Sequence, residues 1–250
     1  MKDIILNRLN EIEQKENIRI LLAVESGSRA WGFASPDSDY DVRFIYVRPK
    51  EEYLRLETIR DVLEYPIDSE LDINGWDLNK TLRLLRSSNP TLFEWFASPI
   101  VYKETPDAEE LRNVMPEYFS PKRGLGHYLS MASNNYKTYL NEDMVKAKKY
   151  FYVLRPVLAC RWILDKGTPP PMLFSDLMDA ELDPELLPEV EWLLDLKMNS
   201  PEIKTIPGIE TLTRYLAESM EEIRLSILKM PDDPYHGWEE LNRLFLSLLE

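Results

Sequence analysis

The chain has 250 residues, 44% of them hydrophobic and 11% aromatic, with 44 acidic against 30 basic side chains for a formal charge of −14. That length buries one large core or two modest ones, and that charge excludes a protein whose whole surface tracks a nucleic-acid backbone, which needs a broad basic face. A single cysteine, Cys160, excludes an internal disulfide, and His127 and His236 stand too far apart, without cysteine partners, to suggest a zinc site.

Residues 2–16 carry Ile4, Ile5, Leu9 and Ile12 at helical spacing among charges, an amphipathic helix and not a signal sequence. No apolar run approaches the roughly 20 residues of a membrane span, so the expectation is a cytoplasmic protein with no membrane partner. Residues 18–24 and 41–47 are β-rich runs, and the Gly/Ser/Pro/Asp-rich segment between them must hold a turn and one short helix. Further extended stretches are expected at 58–65 and 70–76. Asp77 then reads as the N-cap of a helix to about residue 86, and Asn89-Pro90 opens another.

After about residue 105 the strand signals stop. Residues 122–140, 144–166, 183–198, 208–230 and 237–249 read as helices, with a clear loop at 167–172. The expected architecture is an α/β domain over 1–105 followed by an all-helical domain over 106–250. Charge is uneven along it: residues 126–166 carry seven basic and three acidic side chains, an island of net +4 in an acidic chain.

One constellation suggests chemistry. Nucleotidyl transfer needs backbone N–H groups to hold phosphate oxygens and hard carboxylate ligands for divalent cations, commonly two ions about 3.5–4 Å apart. Gly27-Ser28 directly after a strand offers the first. Asp39 and Asp41, two apart on a strand, point to one face and repel each other unless a cation neutralises them. A third carboxylate is expected from a neighbouring strand: Asp72 is flanked by apolar residues that point the other way, and its rival Asp77 suits an N-cap better. Arg43 shares the face of the two aspartates, placed to steady them or touch phosphate. On the basic island, Lys148, Tyr152 and Arg155, with Lys149, lie three to four residues apart and share helix faces, cations and an aromatic suited to a nucleotide. His127, Ser130 and Asn134 share a face of the preceding helix. For Tyr150, Phe151, Trp162 and Cys160, core packing is the simpler reading.

Gly27-Ser28, ten intervening residues and Asp39-x-Asp41 resemble the active-site signature of the DNA polymerase β-like nucleotidyltransferase superfamily. More narrowly, GSRAWGFASPDSDYDVRFIYV, LDINGWDLNKTLRLL with SNPTLFEWFASPIVY, and KKYFYVLRPVLACRW look like RlaP, a family of predicted nucleotidyltransferases assigned to RNA-repair-like pathways. The resemblance spans roughly residues 20–170. It implies an α+β fold, a small mixed sheet bearing three carboxylates followed by a helical C-terminal domain. It also implies two Mg²⁺ ions, with Mn²⁺ as substitute, and a nucleoside triphosphate substrate, ATP among the candidates. Carried over, Gly27 and Ser28 would meet the β- and γ-phosphates, Asp39 and Asp41 would bind both metals, and Asp72 would join one metal and help deprotonate the acceptor. That acceptor is an RNA end by family assignment, or a small-molecule or protein hydroxyl. The alternative is a non-catalytic nucleotide-sensing or partner-binding module on the same fold.

Overall fold

Ile5, Leu9 and Ile12 are buried along one side of α1 (Lys2–Glu16), which Asn17 terminates in the left-handed conformation at φ 50°, a conformation Asn tolerates better than most residues. The computed structural model describes residues 1–65, 70–140, 142–199, 205–232 and 236–249. After α1 come β1 (Arg19–Glu25), α2 (Gly27–Ala30), β2 (Tyr40–Val47), α3 (Lys50–Tyr53), β3 (Val62–Glu64) and β4 (Leu71–Asp77). Next are α4 (Leu78–Arg86), α5 (Pro90–Phe96), β5 (Val101–Glu104) and α6 (Pro106–Val114), the last running into a 3-10 turn at Met115–Tyr118.

The strands form a mixed five-stranded sheet in the order β3-β4-β2-β1-β5. β2 and β4 run parallel, and the other neighbours are antiparallel. β1 is buried at every position but its first, the continuous apolar run of a strand covered on both faces. β4 alternates instead: Leu71, Ile73, Gly75 and Asp77 are buried, while Asp72, Asn74 and Trp76 are half-buried. Val42, Phe44, Tyr46, Leu71 and Ile73 share a core with the buried side of α1. By the two-residue period of a strand, Asp41, Arg43 and Asp72 therefore face away from that core.

The remaining elements are α7 (Pro121–Tyr139), β6 (Met144–Lys146), α8 (Ala147–Lys166), α9 (Phe174–Glu181), α10 (Leu187–Asn199), β7 (Thr205–Pro207), α11 (Glu210–Lys229) and α12 (Glu239–Ser247). α8 is the hub of the helical part, with α7, α9, α10 and α11 packed on it. Twelve of its 20 residues are buried, among them Tyr150, Phe151 and Cys160, and burial pushes the Cys160 thiol far up from its ordinary pKa.

Three expectations change. Strand structure does not stop near residue 105, because β6 pairs with β7 and takes the first three residues of the helix expected at 144–166. The stretch expected at 58–65 is a strand only over Val62–Glu64. The chain also does not divide into 1–105 and 106–250. One compact unit holds the described residues of Met1–Gly27, Asp39–Tyr118 and Pro234–Glu250, and the other those of Ser28–Ser38 and Phe119–Asp233. α6 and α12 thus belong with the sheet, where α12 packs on α4. No helix among the described residues is long and apolar enough to cross a membrane.

Candidate active site

Parallel pairing of β2 with β4 sets Asp41 directly opposite Asp72, and Arg43 opposite Asn74. Arg43 Nη2 donates to Asp41 Oδ1 at 2.9 Å and to Asp72 Oδ2 at 2.7 Å, so one nitrogen joins the two carboxylates. Its Nη1 donates to the backbone carbonyls of Asp72 (3.1 Å) and Val42 (3.2 Å). The three side chains are 28, 30 and 18% exposed for Asp41, Asp72 and Arg43. They can be reached from solvent yet are fixed by a charge-assisted network. Asp39 is exposed and sits one residue ahead of β2 rather than on it.

The connection out of β1 is moulded to Asp41. Ser26 N–H donates to the Asp41 carbonyl at 2.8 Å. Gly27 follows at φ +59°, and a Cβ built on it would lie 2.0 Å from Asp41 Oδ2. Only glycine allows both that backbone conformation and that approach. Beneath lies Glu25, fully buried: its Oε1 accepts the Asp41 N–H at 2.7 Å, its Oε2 accepts the Tyr102 hydroxyl, and its carbonyl accepts Ser98 Oγ at 2.6 Å. Asp41 is thus held through its backbone on two sides before its carboxylate meets any ligand.

Asp77 does different work. Five residues along β4 from Asp72 and buried, it accepts the Asn79 N–H at 2.8 Å as the N-cap of α4 and the Tyr53 hydroxyl at 2.9 Å. Burial raises its pKa above the ordinary carboxylate value, against the opposing pull of those hydrogen bonds and of Arg48.

Among the described residues, no three His, Cys, Asp or Glu side chains are gathered as a metal-ready cluster. What the sheet offers is a two-carboxylate seat. Its hard oxygen donors fit Mg²⁺ or Mn²⁺, and the Arg43 guanidinium lies between them.

In the helical unit, Ser28 lies in α2 and its carbonyl accepts the Phe33 N–H at 3.1 Å. Lys148 and Tyr152 are half-buried on α8. The Tyr152 ring meets Trp31 and Tyr139 edge-on at 6.4 and 6.5 Å, and Lys149 Nζ sits over the Tyr139 and Tyr152 rings at 3.8 and 4.4 Å. Arg155 departs from the ligand-facing position expected of it: it is buried at 2% exposure, with its guanidinium 4.8 Å from the Trp31 ring centroid. His127, Ser130 and Asn134 are exposed.

A family described as RlaP, an RNA repair pathway DNA polymerase beta family, matches residues 1–247. The chain belongs to this family. The uncharacterized protein YcgL of Bacillus subtilis (strain 168) is 48% identical over 252 residues, covering 100% of this chain and 97% of that protein. A solved nucleotidyltransferase-like protein from Exiguobacterium sibiricum 255-15 is 13% identical with a TM-score of 0.33, covering 90% of this chain and 74% of that one.

Within this RlaP chain, Gly27, Asp41, Arg43 and Asp72 come together in the sheet unit, all four singled out by sequence. Glu25 was missed, because a carboxylate ending an apolar run gives no sign of what it accepts. Lys197 was missed too. Buried on α10, it donates to Ser35 Oγ at 2.8 Å and Ser38 Oγ at 3.4 Å, and with Arg29, which donates to the Ser38 carbonyl at 2.7 Å, it fixes the 33–38 loop.

Proposed function

We propose that this RlaP family member is a divalent-metal-dependent nucleotidyltransferase that moves a nucleoside monophosphate from a nucleoside triphosphate to a hydroxyl acceptor. The observation that carries the reading is the register pair Asp41 and Asp72, part-exposed on one sheet face with Gly27 pressed against Asp41. Two facing carboxylates add nothing to packing and need a counter-charge to coexist. When bound, Mg²⁺ would polarise the α-phosphate and ease the approach of the acceptor oxygen. Asp41 and Asp72 would hold it, with Asp39 as the further ligand.

In the transfer, the acceptor oxygen bonds to the α-phosphorus, the bond from that phosphorus to its bridging oxygen breaks, and pyrophosphate leaves. Asp72 is the base assigned to the hydroxyl proton. Gly27, part-exposed beside Asp41, is the residue assigned to the phosphates. Arg155 supports Trp31 from beneath. The family description favours an RNA end as acceptor, with small-molecule and protein hydroxyls as the other classes.

The test is pyrophosphate release from each labelled nucleoside triphosphate with Mg²⁺, against a panel of RNA ends, metabolites and proteins. Release that disappears in Asp72→Asn supports the reading. Nucleotide binding without pyrophosphate on any acceptor favours the second reading, a non-catalytic nucleotide-sensing or partner-binding module, to which an arginine-neutralised carboxylate pair is also suited.

A further inference from the structure

Arg43 occupies the space a divalent cation would use. Its Nη2 stands 2.9 and 2.7 Å from the facing oxygens of Asp41 and Asp72, whereas Mg²⁺ requires those oxygens at about 2.1 Å in near-octahedral geometry. A guanidinium nitrogen and an ion cannot share that point, and two like charges would oppose each other at such range. The guanidinium is also anchored from behind by the Asp72 and Val42 carbonyls.

Resting on the reading of Asp41 and Asp72 as metal ligands, we propose that Arg43 is the built-in counter-ion of the metal-free site and that a divalent cation binds by displacing it. In the metal-free protein Arg43 keeps the two carboxylates from repelling each other. In the loaded protein it is a free positive charge at the rim of the site, and a nucleoside triphosphate is the ligand whose charge would hold it there. Metal affinity is therefore set by a competition within the chain, and the site is tuned to load when ion and anionic nucleotide arrive together.

The experiment is Mn²⁺ binding followed by electron paramagnetic resonance of the free ion, on wild type, Arg43→Gln and Asp72→Asn, without nucleotide. With the competitor gone, Arg43→Gln should bind Mn²⁺ about tenfold more tightly than wild type. Its metal-free melting temperature should fall and be restored by Mn²⁺, and Asp72→Asn should lose the site. Equal or weaker affinity in a folded Arg43→Gln, with wild-type binding that depends on Asp72, overturns the displacement and leaves the function standing. No Asp72-dependent Mn²⁺ binding in either protein, both without nucleotide and with a non-hydrolysable nucleoside triphosphate, overturns both. If Arg43→Gln does not fold, the nitrogen NMR signals of the Arg43 guanidinium in wild type decide. Loss of its hindered rotation on adding Mg²⁺ supports displacement, and unchanged signals at saturating Mg²⁺ overturn it.

Discussion

Asp41 and Asp72 are partners in the parallel β2–β4 register, and a single nitrogen of Arg43 lies between their carboxylates. Asp41→Asn and Asp72→Asn keep shape and remove charge. Each should lower nucleotidyl transfer by about a thousandfold or more, since hard-cation binding needs the carboxylate. Stability should scarcely move, because a part-exposed ion pair contributes only about 0–1 kcal/mol. Pyrophosphate release measured beside a denaturant melt separates the two effects. Substantial turnover in either variant would remove its carboxylate from the site.

Asp77 supplies the contrasting case. Asn at this position keeps Oδ1 to accept the Asn79 N–H, and its amide nitrogen meets the Tyr53 hydroxyl as a donor in place of the acceptor Oδ2. Since Asp77 lies outside the Asp41–Asp72 pair, Asp77→Asn should retain wild-type turnover. Burial raises the folded-state pKa of Asp77 above the unfolded value of about 3.9. Its favourable contribution is therefore complete below the unfolded pKa and is lost as pH rises through the folded pKa. The stability difference in favour of Asp77→Asn should open with rising pH and level off once Asp77 is ionised. Denaturant melts of both proteins from pH 4 to 8 check this, and a difference that narrows as pH rises contradicts the assigned cause.

Much of this was legible in the sequence, because long elements repeat their period several times. α1, β1, β2, α4, α7 and α11 lie within a few residues of expectation. β5, β6 and β7 have three or four residues each, too few to show alternation, and β5 buries none of its four residues fully. The partition into units was illegible for another reason: α12 belongs with α4, more than 150 residues earlier, and nothing local in 239–247 says so. At the site, spacing gave Gly27, Asp41 and Asp72, and parity put Arg43 on their face. Which oxygens Arg43 takes depends on β2 pairing with β4 in one register. Arg155 was expected to face a nucleotide because helical spacing does not reveal that α8 has four other helices packed on it.

Glu25 is the residue through which the fold fixes the site. Glu25→Ala would leave the Asp41 N–H and the Tyr102 hydroxyl without their acceptor in a buried place, a loss of about 2–4 kcal/mol. Glu25→Gln keeps an acceptor for the Asp41 N–H and should fall between. Equilibrium unfolding in urea reads the difference. A loss of under about 1 kcal/mol in the alanine variant would mean that solvent replaces the carboxylate there.

Gly27 ties that scaffold to the chemistry. An alanine there adds one carbon, placed 2.0 Å from Asp41 Oδ2 and 2.9 Å from its Cγ, on a backbone at φ +59°. The strained conformation alone costs roughly 1–2 kcal/mol for an L-residue. The protein relieves the overlap by moving either the 26–28 backbone or the Asp41 side chain. The side chain is the softer of the two, since the Ser26 N–H bond to the Asp41 carbonyl holds the backbone. Asp41 would then turn out of line with Asp72. Gly27→Ala should accordingly melt only a few degrees below wild type while losing Mn²⁺ affinity and transfer activity by about tenfold or more. A folded Gly27→Ala protein with wild-type Mn²⁺ affinity would show that the close approach of Gly27 to Asp41 has no part in forming the proposed metal site.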